Sequence, residues 1–240
     1  GIGFSMINHS GTLLYKNSYK LENHECYEAY YNCLKYSDTG NYYYMCGTAV
    51  ENNTSEIVPF LVLLDDNLDT LSFNQIEIDS VYGVYDVIQY NDSIFAIAAE
   101  NILPDDYEMG LLLYNINDPT HTIKTGYGVD GIISNEVGTE IIKTHDNKLL
   151  LGGFTFGFST STYKQDWYLV KTDSIGTMIW EQHYGNPNEN DGRIMAMLES
   201  KDSAYIVAGG QAICNWSMNP ISEAALRKID TAGNLVWERF

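Results

Sequence analysis

Residues 168–180 read Tyr-Leu-Val-Lys-Thr-Asp-Ser-Ile-Gly-Thr-Met-Ile-Trp, and residues 225–237 read Ala-Leu-Arg-Lys-Ile-Asp-Thr-Ala-Gly-Asn-Leu-Val-Trp. Three landmarks return in the second stretch: Asp173, Gly176 and Trp180 correspond to Asp230, Gly233 and Trp237. Looser copies have their turn-opening residues at Asn8, Asp65 and Asn117. The landmarks therefore recur at a nearly constant interval along the chain. Self-similarity of this kind is typical of repeat architectures and indicates the fold more strongly than any local motif does.

A second landmark lies between these copies. The stretch Lys-Asp-Ser-Ala-Tyr-Ile-Val-Ala-Gly-Gly at 201–210 matches His-Asp-Asn-Lys-Leu-Leu-Leu-Gly-Gly at 145–153, so Gly153 and Gly210 end equivalent segments. Asp and Asn favour turns because their side chains bond their own backbone. The small residues at the end of each segment indicate close backbone approach. Each copy therefore predicts a turn followed by an apolar strand.

One repeat, 166–222, can be divided into four strands at about 167–172, 177–184, 193–199 and 205–208. Four short strands in a repeat of this size are typical of a β-propeller blade, and helical repeats would show a 3.6-residue period that is missing here. The sequence therefore predicts an all-β fold, a β-propeller of four four-stranded blades plus the start of a fifth. Trp180 and Trp237 are expected to pack between blades.

The predicted blade limits are 1–58, 59–109, 110–165 and 166–222, with an incomplete blade at 223–240, all in one propeller domain. Closing a ring of blades usually needs complementary strands from the two chain ends. Here both ends supply the same strands, so we expect the 240 residues to be part of a larger propeller.

The charge of the chain narrows the range of partners. Thirty-two acidic residues against 13 basic ones give a formal net charge of −19, which would repel nucleic acid and anionic membranes. The longest apolar run, 57–64, is too short to span a bilayer. We therefore expect no nucleic-acid partner and no direct membrane insertion.

Few residues in the sequence suggest a catalytic site, a metal site or a disulfide. The sequence contains no nucleophile elbow, P-loop or dinucleotide fingerprint, so no catalytic residue and no organic cofactor is predicted. Asp65, Asn67 and Asp69 have the spacing that begins a calcium loop, although a solvated turn is the alternative. Cys33 and Cys46 flank a predicted hairpin and are candidates for a disulfide, with small buried hydrophobic residues as the alternative.

The pattern Leu-x-Lys-x-Asp-x-x-Gly-x-x-x-Trp, as at 169–180, followed by Tyr-Gly at 184–185, resembles repeats of secreted Bacteroidota proteins. In those proteins the repeats resemble propeller regions ahead of a type IX secretion sorting domain. The resemblance implies a secreted or cell-surface protein associated with the outer membrane. Asp-(Ser/Thr)-apolar triplets are also similar to the O-glycosylation acceptor of that phylum, with ordinary turn chemistry as the alternative. The candidate acceptors are Thr70, Ser80, Ser93, Ser174, Ser203 and Thr231.

From these features we expect a non-enzymatic secreted or cell-surface propeller that acts as a binding or scaffold module for protein or glycan. It would be a type IX secretion cargo or a subunit of a surface assembly. The alternative is a propeller-type glycan hydrolase or lyase whose active residues lie partly outside this segment. Carboxylates on one rim could serve such an enzyme.

Overall fold

The computed structural model describes residues 2–7, 9–19, 24–28, 34–37, 39–102, 107–128, 135–157, 165–185, 191–213 and 221–240. These residues form five antiparallel sheets that follow one another along the chain. The prediction of an all-β fold is confirmed. Within the described ranges there is one turn of 3-10 helix, Pro119–His121, and no helix long and apolar enough to cross a membrane.

The first two sheets occupy the N-terminal third of the chain. The first sheet has two strands, β1 (Ile2–Ile7) and β2 (Leu13–Tyr19). The second sheet contains β3 (His24–Glu28), β4 (Leu34–Tyr36), β5 (Tyr43–Glu51), β6 (Ile57–Leu64) and β7 (Thr70–Gln75). Since β3 and β4 both pair with β5, they act as one interrupted first strand.

The other three sheets have four strands each, paired in chain order. The third sheet contains β8 (Val81–Gln89), β9 (Ile94–Ile102), β10 (Tyr107–Asn115) and β11 (Ile123–Tyr127). The fourth contains β12 (Glu136–Lys143), β13 (Leu149–Thr155), β14 (Asp166–Thr172) and β15 (Met178–Tyr184). The fifth contains β16 (Ile194–Glu199), β17 (Tyr205–Ile213), β18 (Ile221–Ile229) and β19 (Leu235–Arg239).

The core consists of three apolar layers, each between two successive sheets. They lie between the second and third, the third and fourth, and the fourth and fifth sheets. The first strands β8, β12 and β16 contact one another in succession, and β8 also contacts β5, the second strand of the second sheet. The fourth strands β7, β15 and β19 are largely exposed. The sheets therefore pack face to face around a common side, but within the described ranges they do not close into a ring.

The predicted limits do not coincide with the sheets. The predicted repeat 166–222 contains β14 and β15 of the fourth sheet and β16 and β17 of the fifth. The reason is that the Asp-x-x-Gly landmark is the turn between the third and fourth strands, so a repeat counted from it begins in mid-sheet. For the same reason the incomplete sheet is the first one, not the last.

The landmark turns are equivalent in space as well as in sequence. Asp173 Oδ1 accepts the backbone N–H groups of residues 175 and 177, at 3.0 and 2.8 Å, and Asp230 Oδ1 accepts those of 232 and 234, at 2.9 and 2.8 Å. Gly176 and Gly233 have φ values of +88° and +87°, in the left-handed region that favours glycine. In the third sheet Asn115, not Asn117, opens the turn, because Asn115 Oδ1 accepts the N–H of Asn117.

Aromatic side chains join each sheet to the next turn. Tyr127 donates to the carbonyl of Gly176 at 2.6 Å, and Tyr184 donates to that of Gly233 at 2.7 Å. Trp180 Nε1 donates to the carbonyl of Thr231 at 3.0 Å. These hydrogen bonds join the third sheet to the turn of the fourth, and the fourth sheet to the turn of the fifth.

Candidate functional site

Most of the longer connections of the four-stranded sheets leave from one end. Connections from the second to the third strand, and from the fourth strand to the next sheet, lie at the same end because antiparallel strands alternate in direction. We call this the loop end, and the opposite side, which carries the Asp173 and Asp230 turns, the turn end. Binding and catalytic groups concentrate where loops meet a rigid scaffold. The loop end is therefore where a site is expected.

The candidate calcium ligands lie at the turn end. Asp65 Oδ1 accepts the backbone N–H groups of Asn67 and Asp69, at 2.8 and 2.9 Å, as Asp173 and Asp230 do in their turns. Asp69 Oδ1 accepts the hydroxyl of Tyr15 at 3.0 Å. Two of the three proposed ligands are thus engaged within the protein. No group of three or more His, Cys, Asp or Glu side chains in the described part of the chain is arranged to hold a metal.

The other residues singled out from the sequence are dispersed. Cys46 is buried in β5, and Cys33 lies outside the described residues, so their pairing stays a prediction. Of the candidate glycosylation acceptors, Thr70, Ser80, Ser174 and Thr231 are exposed, and Ser93 and Ser203 are half-buried. All except Thr70, which begins β7, lie in turns or links. Among those that the structure describes, none is brought together with another into a site.

Two buried aspartates meet at the loop end, between the fourth and fifth sheets. Asp166 begins β14 and is 4% exposed, while Asp191 lies just before β16 and is fully buried. A Cβ atom on Gly185 would lie 2.7 Å from Asp191 Oδ2 and closer still to Asp166 Oδ1. Both carboxylates therefore rest against the same backbone position, where only glycine fits. We call Asp166 and Asp191 the aspartate pair.

The two members of the aspartate pair have different surroundings. Asp166 Oδ2 lies 3.5 Å from Nδ1 of the half-exposed His183, and its Oδ1 has no hydrogen-bond partner among the described residues. Asp191 Oδ1 lies 3.7 Å from Nη2 of the buried Arg227. The guanidinium favours the ionised form of Asp191. Two carboxyl groups in unlike environments can divide the roles of acid and base.

Trp167 contacts both Asp191 and Arg227. Trp167 Nε1 donates to the carbonyls of Asp191 and Gly210, at 2.6 and 3.1 Å. The guanidinium of Arg227 stacks on the indole at 4.3 Å, and Nη1 donates to the carbonyl of Tyr184 at 3.0 Å. Because the indole of Trp167 and the guanidinium of Arg227 are both held by backbone carbonyls, they support the aspartate pair from a second layer of residues.

A related acidic cluster lies between the third and fourth sheets. The buried Tyr168 donates its hydroxyl to Glu181, and Glu136 Oε1 accepts the hydroxyl of Thr155 at 2.6 Å. Burial raises the pKa of Tyr168, and the nearby carboxylates of Glu181, Glu136 and Glu108 raise it further. This cluster has a similar arrangement around Gly128, where an added Cβ atom would lie 2.7 Å from Glu136 Oε2 and 3.5 Å from Cγ of the half-buried Glu108.

The sequence contains a signal for these positions that motif searches do not use. Glu108, Asp166 and Glu223 each precede a turn-opening residue, Asn115, Asp173 or Asp230, by the same interval. An acidic residue thus recurs at the loop end of the third strand in three successive sheets. Asp191 carries no such signal, because it lies in an irregular link.

The buried carboxylate of Asp86 joins strands of three sheets and lies apart from the aspartate pair. Asp86, on β8, lies 2.6 Å from the Nζ atom of Lys35 on β4, and its Oδ2 accepts the N–H of Ile141 on β12 at 3.0 Å. Burial raises the pKa of Asp86, with Lys35 opposing the shift. Asp86 therefore links the first strands of three sheets.

No family model matches the chain, and no curated protein matches it. Among solved structures, the chain is similar to a protein of Parabacteroides distasonis ATCC 8503 whose 1.70 Å crystal structure is described as that of a "putative glycoside hydrolase". The similarity covers 89% of this chain and 73% of that chain, with a TM-score of 0.53 and 8% sequence identity. An identity this low establishes a likeness of fold and transfers no residue role.

Proposed function

We propose that the chain belongs to a carbohydrate-active β-propeller, with the sheets as its blades, and that it hydrolyses glycosidic bonds with Asp166 and Asp191. The observation that carries the proposal is the placement of two buried carboxylates against the single glycine Gly185. Glycoside hydrolases use a pair of carboxyl groups on either side of the scissile bond. The aspartate pair meets this requirement with two buried carboxyl groups, whereas Glu108 of the related cluster is half-buried.

This proposal corrects the function expected from the sequence. The sequence predicts a non-enzymatic binding or scaffold module because it contains no local catalytic motif. That prediction is wrong, since the similar solved structure is described as a glycoside hydrolase. The physical reason is that Asp166 and Asp191 are separated in sequence and meet only through the packing of the fourth sheet on the fifth.

The unlike surroundings of the two aspartates suggest their roles. Asp191, beside Arg227, would act as the nucleophile, because two carboxyl groups that both touch the Gly185 position are too close to admit a water between them and the sugar. Asp166, whose Oδ1 has no hydrogen-bond partner among the described residues, would protonate the leaving oxygen. Arg227 and Trp167 would act as positioning residues, since they contact Asp191 and not a substrate.

Hydrolysis is favoured over elimination by the charges at the site. A lyase must stabilise the carboxylate of a uronic acid as negative charge develops next to it, which calls for several cationic groups. The aspartate pair has one buried arginine and one half-exposed histidine, and both are already close to a carboxylate. The site can therefore supply an acid and a base more readily than it can neutralise an anionic sugar.

A panel of polysaccharides and oligosaccharides tests this proposal. Purified protein should release reducing ends from at least one neutral or amino-sugar glycan, without the ultraviolet absorbance of an unsaturated uronate. The double variant Asp166→Asn/Asp191→Asn should release none. Unsaturated product would show a lyase, and no product from any glycan at any pH tested would contradict the proposal.

The cellular setting belongs to the same proposal. We infer a secreted or cell-surface protein, on the strength of the repeats that resemble those of type IX secretion cargo, and a glycan substrate suits that location. The candidate acceptors Thr70, Ser80, Ser93, Ser174, Ser203 and Thr231 would carry O-linked glycans there. Mass spectrometry of the native protein tests this: unmodified peptides over all six positions would contradict the glycosylation.

A further inference from the structure

Two tyrosines form an edge-to-face pair at the loop end of the third sheet. Tyr82, near the start of β8, is 44% exposed, and Tyr107, the first residue of β10, is half-buried. Their ring centroids lie 5.9 Å apart, with an angle of 81° between the ring planes. Because β9 runs between β8 and β10, the two rings meet over β9 and therefore lie on one face of the sheet. We call Tyr82 and Tyr107 the tyrosine pair.

The tyrosine pair is on the face that the third sheet turns towards the fourth. Side chains alternate along a strand, so Tyr107 is on the same face as Met109, which packs in the apolar layer between these two sheets. The backbone of Tyr107 also forms a bridge with that of Asn135, the residue that precedes β12 of the fourth sheet. The tyrosine pair therefore borders the space between the third and fourth sheets at the loop end.

The fourth sheet faces this space with a row of polar side chains. Glu136, Thr155 and Asp166 are register neighbours on β12, β13 and β14 at the loop end. Asp166 lies two residues before Tyr168, which packs in the same apolar layer as Met109, so the row is on the side of the third sheet. Since Asp166 belongs to the aspartate pair, the row connects the tyrosine pair to the proposed reaction centre.

A buried carboxyl group lies on the same face as the tyrosine pair. Glu100 is the register partner of Met109 and is 9% exposed, and its Oε2 accepts the hydroxyl of Tyr85 at 2.5 Å. Burial raises the pKa of Glu100, with the hydroxyl of Tyr85 opposing the shift. The space between the two sheets thus has carboxyl groups on both sides, at Glu100 and along the row that contains Asp166. Such surroundings disfavour an anionic sugar.

Aromatic rings stack on pyranose rings whose hydroxyl groups are equatorial, because only C–H groups project from the faces of such sugars. We infer that the tyrosine pair is a binding platform for a neutral glycan of this kind, such as a β-linked chain of glucose or N-acetylglucosamine. The glycan continues past Glu136 and Thr155 to the aspartate pair, and it spans a few sugar units because β12 and β14 are about 10 Å apart. The inference rests on the proposed function for the choice of a glycan, and it adds the sugar class and a subsite.

Calorimetry with three hexasaccharides tests the inference: cellulose-type glucose, chitin-type N-acetylglucosamine and galacturonate. We measure the Asp166→Asn/Asp191→Asn protein, so that cleavage does not enter the result. At least one neutral hexamer should bind, and galacturonate should bind at least about tenfold more weakly. Tyr82→Ala should weaken binding of the neutral hexamer about tenfold, because it removes a stacked ring. Tyr82→Phe, which keeps the ring, should stay within about twofold.

Tyr36→Ala is the matched control. Tyr36 is 47% exposed and makes an edge-to-face contact with Tyr43, with ring centroids 4.9 Å apart, but it lies at the turn end of the second sheet. Its substitution should change the affinity by less than about twofold. Equal loss in Tyr36→Ala and Tyr82→Ala, unchanged affinity in Tyr82→Ala, tighter binding of galacturonate, or no binding of either neutral hexamer would overturn the inference. These outcomes do not depend on turnover, so failure here is distinct from failure of the proposed function.

Discussion

Asp166→Asn and Asp191→Asn are each expected to lower kcat on the best substrate by about a hundred- to ten-thousandfold. Asparagine keeps the size of aspartate but cannot donate or accept the proton that the reaction requires. Neither substitution should create a clash at Gly185, because the amide has the shape of the carboxylate it replaces. Initial rates under saturating substrate measure the effect directly.

The matched control for these variants is Glu223→Gln. Glu223 occupies the position of Asp166 on the next sheet, but it is exposed and lies on β18. Its rate should stay within about twofold of the unmodified protein, since surface substitutions of this kind change little. Rates that fall equally in all three variants would show that acidity at the loop end, not the aspartate pair, supports the activity.

Trp167→Ala is expected to lower the free energy of unfolding by about 3–5 kcal/mol, the usual cost of truncating a buried aromatic residue. Trp167 is fully buried between the fourth and fifth sheets, its Nε1 donates to two carbonyls, and its ring supports Arg227. Since domains have about 5–15 kcal/mol in total, this variant loses a large part of its stability. Urea unfolding followed by tryptophan fluorescence and circular dichroism measures it.

Trp237→Ala provides the comparison for that measurement. Trp237 is the repeat partner of Trp180, is half-buried on β19, and has Arg239 over its ring at 5.6 Å. Truncation there should cost about 1 kcal/mol or less. A cost at Trp237 as large as that at Trp167 would mean that the layer between the fourth and fifth sheets is not the packed core described above.

The strands around the best-preserved repeat could be predicted from the sequence because turn residues and apolar alternation act locally. The predicted strands at 167–172, 177–184 and 193–199 match β14, β15 and β16 closely. The strand predicted at 205–208 continues to Ile213, because Gly209 and Gly210 remain paired with β18. At Gly209 a side chain would meet the ring of Trp167, which explains the small residue.

Turns without the usual glycine or spacing are harder to predict from the sequence. Leu68 stands where Gly176 and Gly233 stand in their repeats, with φ of +61°, so the sequence there lacks the glycine that marks the turn. The repeat spacing points to Asn117 instead of Asn115 as the turn-opening residue, because the loop after Asn115 is lengthened by the 3-10 turn Pro119–His121. In both places tertiary packing holds a turn that local sequence preference does not specify.

The aspartate pair could not be predicted because it depends on how two sheets pack. Asp166 could have been suspected from its equivalents Glu108 and Glu223, but the position of Asp191 follows from the link between β15 and β16. Arg227 comes from a third segment, on β18, and reaches Asp191 only because it stacks on Trp167. Sequence periodicity describes each strand and says little about which side chains meet across a sheet boundary.

A crystal structure of the protein with a bound cationic iminosugar, a mimic of the charge that develops on the sugar ring, would test the central claim most directly. We predict that the ring ammonium lies within hydrogen-bonding distance of Asp166 or Asp191, with Gly185 behind both carboxylates. An iminosugar bound elsewhere, or the two aspartates turned away from each other in the complex, would contradict it.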